Sequence, residues 1–257
     1  METAKILIYD GSFNGFLTAV FKAFEEKVPI ADIQANSVCQ SGLFSETETI
    51  FTQMELAKRV WNGIQSKSNV AIKNIYFAFL SGSKGIELLL YRYIRGMFPD
   101  NQPNGSGLTD DMIIKIGHLA KNVGREKYRM EATVRFQLTQ DGIYFAPISP
   151  DFDVLPLISK HFRARFNDHP WIIYDTKRKY GLYFNLASVE IISLDLQQVF
   201  TNGVHMLESL GGEQICYGHL PKDDFKHLNI KSHINQKLHT SYMSKSQEHY
   251  IGNRNAV

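Results

Sequence analysis

The sequence predicts an α+β fold, in which an N-terminal strand–helix and helical region is followed by an antiparallel sheet packed by a helix. Two periodicities support this class. Apolar residues recur at helical spacing through much of residues 53–127, whereas short alternating runs dominate residues 133–194. The later elements follow the order strand, strand, helix, strand, strand, strand, which is typical of an antiparallel sheet that carries one helix.

The chain opens with a strand, a turn and a helix. Residues 5–9 form an apolar run of strand length, and the Asp10-Gly11-Ser12 turn follows it. Aromatic and aliphatic residues then recur at helical spacing, so we predict a helix over 13–26. Two further short strands are expected around Ile33 and Thr49–Phe51.

Four helices are expected after these strands. Thr52 is placed to cap the first, and the break at 81–85 separates the second from the third. The polar loop 99–107 precedes Thr109, where two aspartates suit the start of a fourth helix that ends near residue 127.

A hairpin and a helix should follow. The Asp141-Gly142 dipeptide lies between the alternating runs 133–139 and 143–148, which is a strong hairpin signal. Ser149-Pro150 then suits the start of a helix over about 151–166.

The remaining strands form a second hairpin and its neighbour. Residues 172–175 and 180–184 are joined by the polar turn 176–179, and another strand is predicted over 189–194. Residues 221–257 are polar, basic and rich in histidine, so they are expected to be a helix or tail.

We therefore expect a single α+β domain over residues 1–220, with a subdomain boundary in the loop 99–107. The composition supports a real core, since 44% of the residues are hydrophobic. A formal net charge of +2 excludes a histone-like polycation and an acidic tail. Residues 53–130 nevertheless carry twice as many basic as acidic side chains, which suits either a polyanion-facing surface or solvated helical faces.

The cysteine content and hydropathy indicate a cytoplasmic protein. Cys39 and Cys216 are too few for a disulfide framework, a four-cysteine zinc site or an iron–sulfur cluster. No apolar stretch approaches the ~18 residues needed to span a bilayer, and the N-terminus has no signal-peptide pattern. We expect a reducing compartment, no membrane association, and no cofactor or metal bound by this chain.

Candidate catalytic groups are aspartates beside helix and strand ends, because the standard phosphate-loop, dinucleotide, zinc-protease, serine-hydrolase and dithiol motifs are absent from the sequence. Asp10 and Ser12 precede a helix, where they either hold an anion or reacting group or simply cap it. Asp151 and Asp153 have a spacing that suits a divalent cation or helix capping. Asp175 ends a predicted strand.

Candidate nucleic-acid contacts centre on the turn Thr176-Lys177-Arg178-Lys179, which Tyr174 and Tyr180 flank. Cations at a loop tip beside aromatic rings can contact phosphates and stack on bases, although polar hairpin turns are also common. The other candidate cations lie on predicted helices: Arg125, Lys127, Arg129, Arg163 and Arg165.

Three long stretches carry a resemblance to a known family. They are IYDGSFNGFLTAVFKAFE at 8–25, YFAFLSGSKGIELLLYRYIRG at 76–96, and RMEATVRFQLTQDGIYFAPISPDFDVLPLISKHFRARFNDHPWIIYDTKRKYGLYF at 129–184. The chain resembles a bacterial family of DNA-metabolism proteins with a domain of unknown function, from about residue 5 to 243. It departs from the family pattern at Tyr128, where a histidine is expected, and at Met243-Ser244-Lys245, where Met-Pro and an aromatic pair are expected.

This resemblance implies a partnership with a radical-SAM protein of DNA modification or repair. It also implies that some relatives are fused to a uracil-DNA glycosylase domain. The iron–sulfur chemistry would belong to the partner, because a radical-SAM cluster requires three closely spaced thiolates and this chain has two cysteines.

Three functions remain open at this level. The first is a DNA-binding accessory protein of DNA repair or modification. In this hypothesis the helical part 53–130 and the turn 176–179 contact phosphates, and Trp171, Tyr174 and Tyr180 stack on bases. The second is a glycosylase-like or nuclease-like hydrolase that uses aspartates as general base or cation ligands. The third is an adaptor that binds the partner enzyme and never touches DNA.

Overall fold

The structure, a computed structural model, describes residues 4–27, 29–36, 46–98, 108–139 and 142–193. The chain divides into two compact units, and the division falls between Arg125 and Glu126. The expected subdomain boundary at 99–107 and the tail at 221–257 lie outside the described residues.

The first unit contains a three-stranded parallel sheet. The central strand β1 (Lys5–Tyr9) pairs with β2 (Ile30–Ala35) on one side and with β3 (Glu46–Thr49) on the other. Helix α1 (Phe13–Glu26) connects β1 to β2, since parallel neighbours need a crossover rather than a tight turn. The predicted first strand, first helix and two short strands are confirmed.

Helices α2 (Met54–Lys67), α3 (Asn69–Phe79) and α4 (Ile86–Gly96) follow, as the periodicity predicts. Gly82 and Gly85 separate α3 from α4 and have φ values of 59° and 72°, which glycine adopts without steric cost.

An aromatic cluster forms the core of the first unit. Phe13 of α1 contacts Tyr76 and Phe79 of α3, with ring centroids 5.0 and 5.1 Å apart. Phe16 stacks on Phe79 at 5.6 Å. Because Phe13, Phe16 and Tyr76 are buried, their spacing on two helices fixes how α1 packs on α3.

The boundary between the units lies within helix α5 (Asp110–Thr133). This helix begins where Thr109 predicts and continues past the predicted end near residue 127. Asp110 and Asp111 occupy its first turn, where their charges are favoured by the helix dipole.

The second unit contains a five-stranded sheet in the order β4–β5–β6–β7–β8. Its strands are β4 (Gln137–Leu138), β5 (Tyr144–Ile148), β6 (Trp171–Asp175), β7 (Tyr180–Phe184) and β8 (Val189–Ile192). Both predicted hairpins and the further strand are confirmed, since these neighbours pair antiparallel.

The sheet is mixed rather than wholly antiparallel, because β5 and β6 pair in parallel. Helix α6 (Leu155–Arg165) joins these two strands and so returns the chain to the same end of the sheet. The helix begins later than the predicted residue 151. Pro156 lies in its first turn, where the missing amide N–H has no cost, so Pro156 marks the helix start and Pro150 does not.

Candidate functional site

Seven charged side chains and one tyrosine, from four separate segments, converge in the second unit. They come from α5, from the loop before α6, from the end of β6, and from the β6–β7 turn with the first residue of β7. We call this set the turn cluster: Glu126, Arg129, Asp151, Asp153, Asp175, Lys177, Arg178 and Tyr180. It gathers three of the four candidate catalytic aspartates and four of the candidate nucleic-acid contacts.

Asp175 is the buried anchor of the turn cluster. It is the last residue of β6 and is fully buried. Its Oδ1 accepts hydrogen bonds from the amides of Lys177 at 2.9 Å and Arg178 at 3.1 Å, and its Oδ2 accepts from Arg178 Nη1 at 2.8 Å. A buried carboxylate requires such partners. Asp175 therefore fixes the conformation of the turn, and both of its carboxylate oxygens already accept hydrogen bonds from the turn.

Arg178 connects the turn to the loop before α6. Beyond its ion pair with Asp175, Nη1 donates to the carbonyl of Pro150 at 3.2 Å and Nη2 donates to the carbonyl of Asp151 at 2.9 Å. The planar guanidinium thus holds three oxygen atoms in a fixed arrangement. Lys179 closes the turn with a φ of 58°, and its amide donates to the Asp175 carbonyl at 2.8 Å.

Asp151 is the exposed carboxylate at the centre of three cations. Lys177 Nζ lies 3.0 Å from Asp151 Oδ1, and Arg129 Nη2 lies 3.6 Å from Asp151 Oδ2. The hydrogen bond and the charge of Lys177 hold the pKa of Asp151 below its ordinary value. The amide of Asp151 donates to Glu126 Oε1 at 3.0 Å, and Arg129 donates to the same Glu126 oxygen.

Asp153 is the carboxyl whose environment disfavours its charged form. Burial, with a smaller contribution from the charge of Asp175, raises the pKa of Asp153. The Tyr180 hydroxyl donates to Asp153 Oδ1, and the charge of Arg178 and the Leu155 amide also favour ionisation. Asp151 and Asp153 thus precede α6 and do not lie in its first turn.

Two of the three candidate cations of the turn are consequently ion-paired within the protein. Lys177 pairs with Asp151, and Arg178 pairs with Asp175. Lys179 is exposed and has no acidic partner among the described residues. The basic appearance of the turn in sequence therefore overstates its net positive charge.

The remaining candidate cations do not join the turn cluster. Arg125 is exposed on the part of α5 that belongs to the first unit. Lys127 pairs with Glu131 at 2.8 Å. Arg163 donates to the Ala187 carbonyl at 3.1 Å, and Arg165 lies over the ring of Phe166.

Burial corrects the stacking role expected for two aromatic residues. Trp171 and Tyr174 are each only 1% exposed and lie within β6, all five of whose residues are buried. A base cannot reach either ring while the core is closed. Tyr180 is half-buried and its hydroxyl is bound to Asp153.

Asp10 and Ser12 belong to the first unit and form a helix cap. The Ser12 hydroxyl accepts from the Gly15 amide at 2.9 Å and donates to Asp10 Oδ1 at 2.7 Å. Thr52, expected to cap α2, instead donates to Asp10 Oδ2 at 2.8 Å, and α2 begins after Gln53. A Cβ atom on Gly15 would lie 2.2 Å from Asp10 Oδ1, so the carboxylate itself fills the first turn of α1. This geometry favours capping over anion binding.

Sequence reasoning missed two acidic residues. Glu126 is buried and connects α5 to the loop before α6. Its spacing from the buried Val123 and Met130 places it on the inner face of the helix, and this spacing could have identified it from the sequence. Glu87 accepts from the Tyr9 hydroxyl at 3.2 Å, and burial raises the pKa of Glu87. No local pattern marked that contact, because it joins residues far apart in the chain.

Neither a metal cluster nor a membrane span is found in the described ranges. There, no group of three or more His, Cys, Asp and Glu side chains could hold a metal ion, so Asp151 and Asp153 have no third side chain of these four types beside them. Within the same residues, no helix is both long and apolar enough to cross a bilayer.

The protein is thus an α+β protein in which one cluster of charged residues is organised around the β6–β7 hairpin turn. Residues 84–251 match the DUF4130 family, a domain of unknown function. This match covers more than half of the chain, and the protein therefore belongs to that family. Comparisons with curated proteins and with solved structures found no match.

Proposed function

We propose that this protein is a DNA-binding accessory protein whose turn cluster contacts backbone phosphates. The observation that carries the proposal is the convergence of Arg129 from α5 with Lys177 and Arg178 from the β6–β7 turn around one exposed carboxylate. Guanidinium and ammonium groups are the usual protein ligands of phosphate oxygens. Lys179 adds a fourth cation on the same turn.

The ion pairs of Arg129 and Lys177 with Asp151 do not prevent these cations from binding a phosphate group. The side chains of Arg129 and Lys177 are about half exposed, and that of Asp151 is 65% exposed. Ion pairs of this exposure contribute little to stability, so a phosphate group can compete for the same cations. Arg178 differs, because buried Asp175 holds its guanidinium in place.

The protein acts, in this proposal, beside a radical-SAM enzyme in DNA repair or modification. The resemblance of residues 8–25, 76–96 and 129–184 to a DNA-metabolism family supports this partnership. The two cysteines of the chain are consistent with an iron–sulfur cluster that belongs to the partner. Co-purification of the two proteins from cells, with and without DNase treatment, tests a direct contact.

Removing two cations of the turn cluster should weaken DNA binding. We expect the Arg129→Ala/Lys177→Ala double variant to bind fluorescent oligonucleotides less tightly at low salt. The slope of log affinity against log salt should fall by about 2, since each lost phosphate contact removes about 0.9 on double-stranded DNA. Titrations of single- and double-stranded DNA across a salt series measure both quantities.

The matched control is Lys22→Ala/Lys58→Ala, which removes the same charge from helices of the first unit, where Lys22 is paired with Glu25. An equal loss of affinity in this control would show that net charge, and not the turn cluster, governs binding. If the natural protein fails to bind DNA even at low salt, the adaptor hypothesis takes its place.

A second candidate function is hydrolysis of nucleic acid, and the surroundings of Asp153 favour it. Asp151, Asp153 and Asp175 all lie near Arg178, whereas Asp10 belongs to the other unit. A carboxyl with a raised pKa beside a charged neighbour is the arrangement that a general acid requires. In this hypothesis Asp153 donates a proton to a leaving group.

The Asp153→Asn variant should show a pH-dependent gain in relative stability. Because its pKa is raised, folded Asp153 binds more protons than the unfolded chain, and its contribution is lost as pH rises above about 3.9 through the folded pKa. We therefore expect the stability of Asp153→Asn, relative to the natural protein, to rise from pH 4 to pH 7, as measured by urea unfolding. The control is Asp168→Asn at an exposed position, which should show a smaller change.

The same variant tests the hydrolase hypothesis. Processing of oligonucleotides by Asp153→Asn at the natural rate would exclude Asp153 as the general acid.

A further inference from the structure

We propose that the Asp151 carboxylate is an internal anion that occupies the phosphate site of the turn cluster in the free protein and leaves it when a phosphate group binds. This inference rests on the proposed function in naming DNA as the source of the phosphate. The site itself follows from the contacts of Arg129, Lys177 and Arg178.

The cations keep their positions without the Asp151 side chain. Arg178 is held by buried Asp175 and by the main-chain carbonyls of Pro150 and Asp151. Arg129 is held by Glu126, which is itself buried. Two guanidinium groups are thus anchored to the protein interior, and only Lys177 depends on Asp151 for its ion pair.

The Asp151 side chain, in contrast, is held by cations of the turn cluster. Among the described residues its carboxylate accepts one hydrogen bond, from Lys177 Nζ, and approaches Arg129 at 3.6 Å, beyond ordinary hydrogen-bond distance. Its main chain is fixed separately, since the amide donates to Glu126 and the carbonyl accepts from Arg178. The carboxylate can therefore swing into solvent about its side-chain bonds while the loop stays in place.

A backbone phosphate can take the position that the Asp151 carboxylate fills. Like the carboxylate, a phosphodiester carries one negative charge on two oxygens, and both groups can accept bidentate hydrogen bonds from a guanidinium group. A carboxylate that must leave first reduces the apparent affinity by the fraction of protein in which the site is open. Asp151 therefore sets how strongly the protein binds phosphate-bearing ligands.

The test compares Asp151→Asn with the natural protein and with Asp168→Asn, which removes an equally exposed carboxylate elsewhere in the second unit. Removing a competitor of this exposure should tighten binding to a single-stranded oligonucleotide about fivefold. The salt slope should stay the same, because the same phosphate contacts form in both proteins and only the competing carboxylate is removed. Asp168→Asn should stay within about twofold of the natural protein. Asp151→Asn that binds no more tightly than the natural protein, or more weakly, overturns the proposal.

Inorganic pyrophosphate provides a probe that does not depend on DNA recognition. We expect it to shift the NMR side-chain signals of Arg129 and Arg178 at lower concentration in Asp151→Asn than in the natural protein. This result supports the internal anion even if the natural protein fails to bind DNA, which would remove the proposed function alone. Equal pyrophosphate affinities overturn the internal anion even where DNA binding is strong. Asp151→Ser, which keeps both main-chain contacts, repeats the test if the asparagine variant is poorly folded.

Discussion

Replacing Arg178 with methionine should lower the free energy of unfolding by about 3 kcal/mol. The reason is the carboxylate of Asp175, which is fully buried and would lose its ion pair. Methionine keeps most of the aliphatic packing of arginine but supplies no charge. Breaking a wholly buried pair costs about 3–5 kcal/mol, and the lower end applies because the Arg178 side chain is 26% exposed and water can reach the site.

Urea unfolding at pH 7 measures this loss, and Lys177→Met is its matched control. Lys177 lies on the same turn and its ion pair is nearly as short, at 3.0 Å against 2.8 Å. Both of its partners are exposed, so we expect a change within about 0.5 kcal/mol. Adding Asp175→Asn to Arg178→Met should recover part of the loss, because no buried charge then remains. Equal effects of the two methionine variants would show that Asp175 does not depend on Arg178.

Elements with strong local signals could be predicted from the sequence almost to the residue. β1 and α1 begin and end where the apolar run and the helical spacing of 13–26 indicate, and the Asp-Gly and polar turns mark both hairpins. Strand pairing is not local, however. The parallel pairing of β5 with β6 depends on where α6 leads the chain, which the alternation within each strand does not specify.

The sequence identified individual residues of the candidate site but did not show that they lie together. Asp151, Asp175 and Arg178 were each singled out, but their meeting depends on the packing of α5 against the loop before α6 and on the β6–β7 turn. One local signal was available: an aspartate followed by a polar turn commonly accepts from the amides two and three residues later, as Asp175 does. The prediction that Tyr174 stacks on bases failed because β6 is buried on both faces. A position next to the turn therefore did not expose the Tyr174 ring.

Replacing Gly181 with alanine should lower the free energy of unfolding by about 2 kcal/mol. Gly181 lies in β7 directly opposite Tyr174 of β6. A Cβ atom there would lie 2.7 Å from the carbonyl oxygen of Ile173 and 3.0 Å from Cδ2 of Tyr174. The carbonyl is part of the central strand and the ring is buried, so neither can move aside without loosening the sheet.

The sign of this effect is the informative result, because alanine ordinarily stabilises a strand or helix relative to glycine by about 0.5–1 kcal/mol. Gly117→Ala is the matched control. It lies on α5, no described residue beyond its own stretch of the helix comes within 4 Å of the added methyl group, and a gain of about 1 kcal/mol is expected there. Thermal unfolding of both variants should give shifts of opposite direction. If Gly181→Ala is instead stabilised, the space beside Gly181 must be wider than these distances indicate. The Tyr174 ring would then not lie against Gly181.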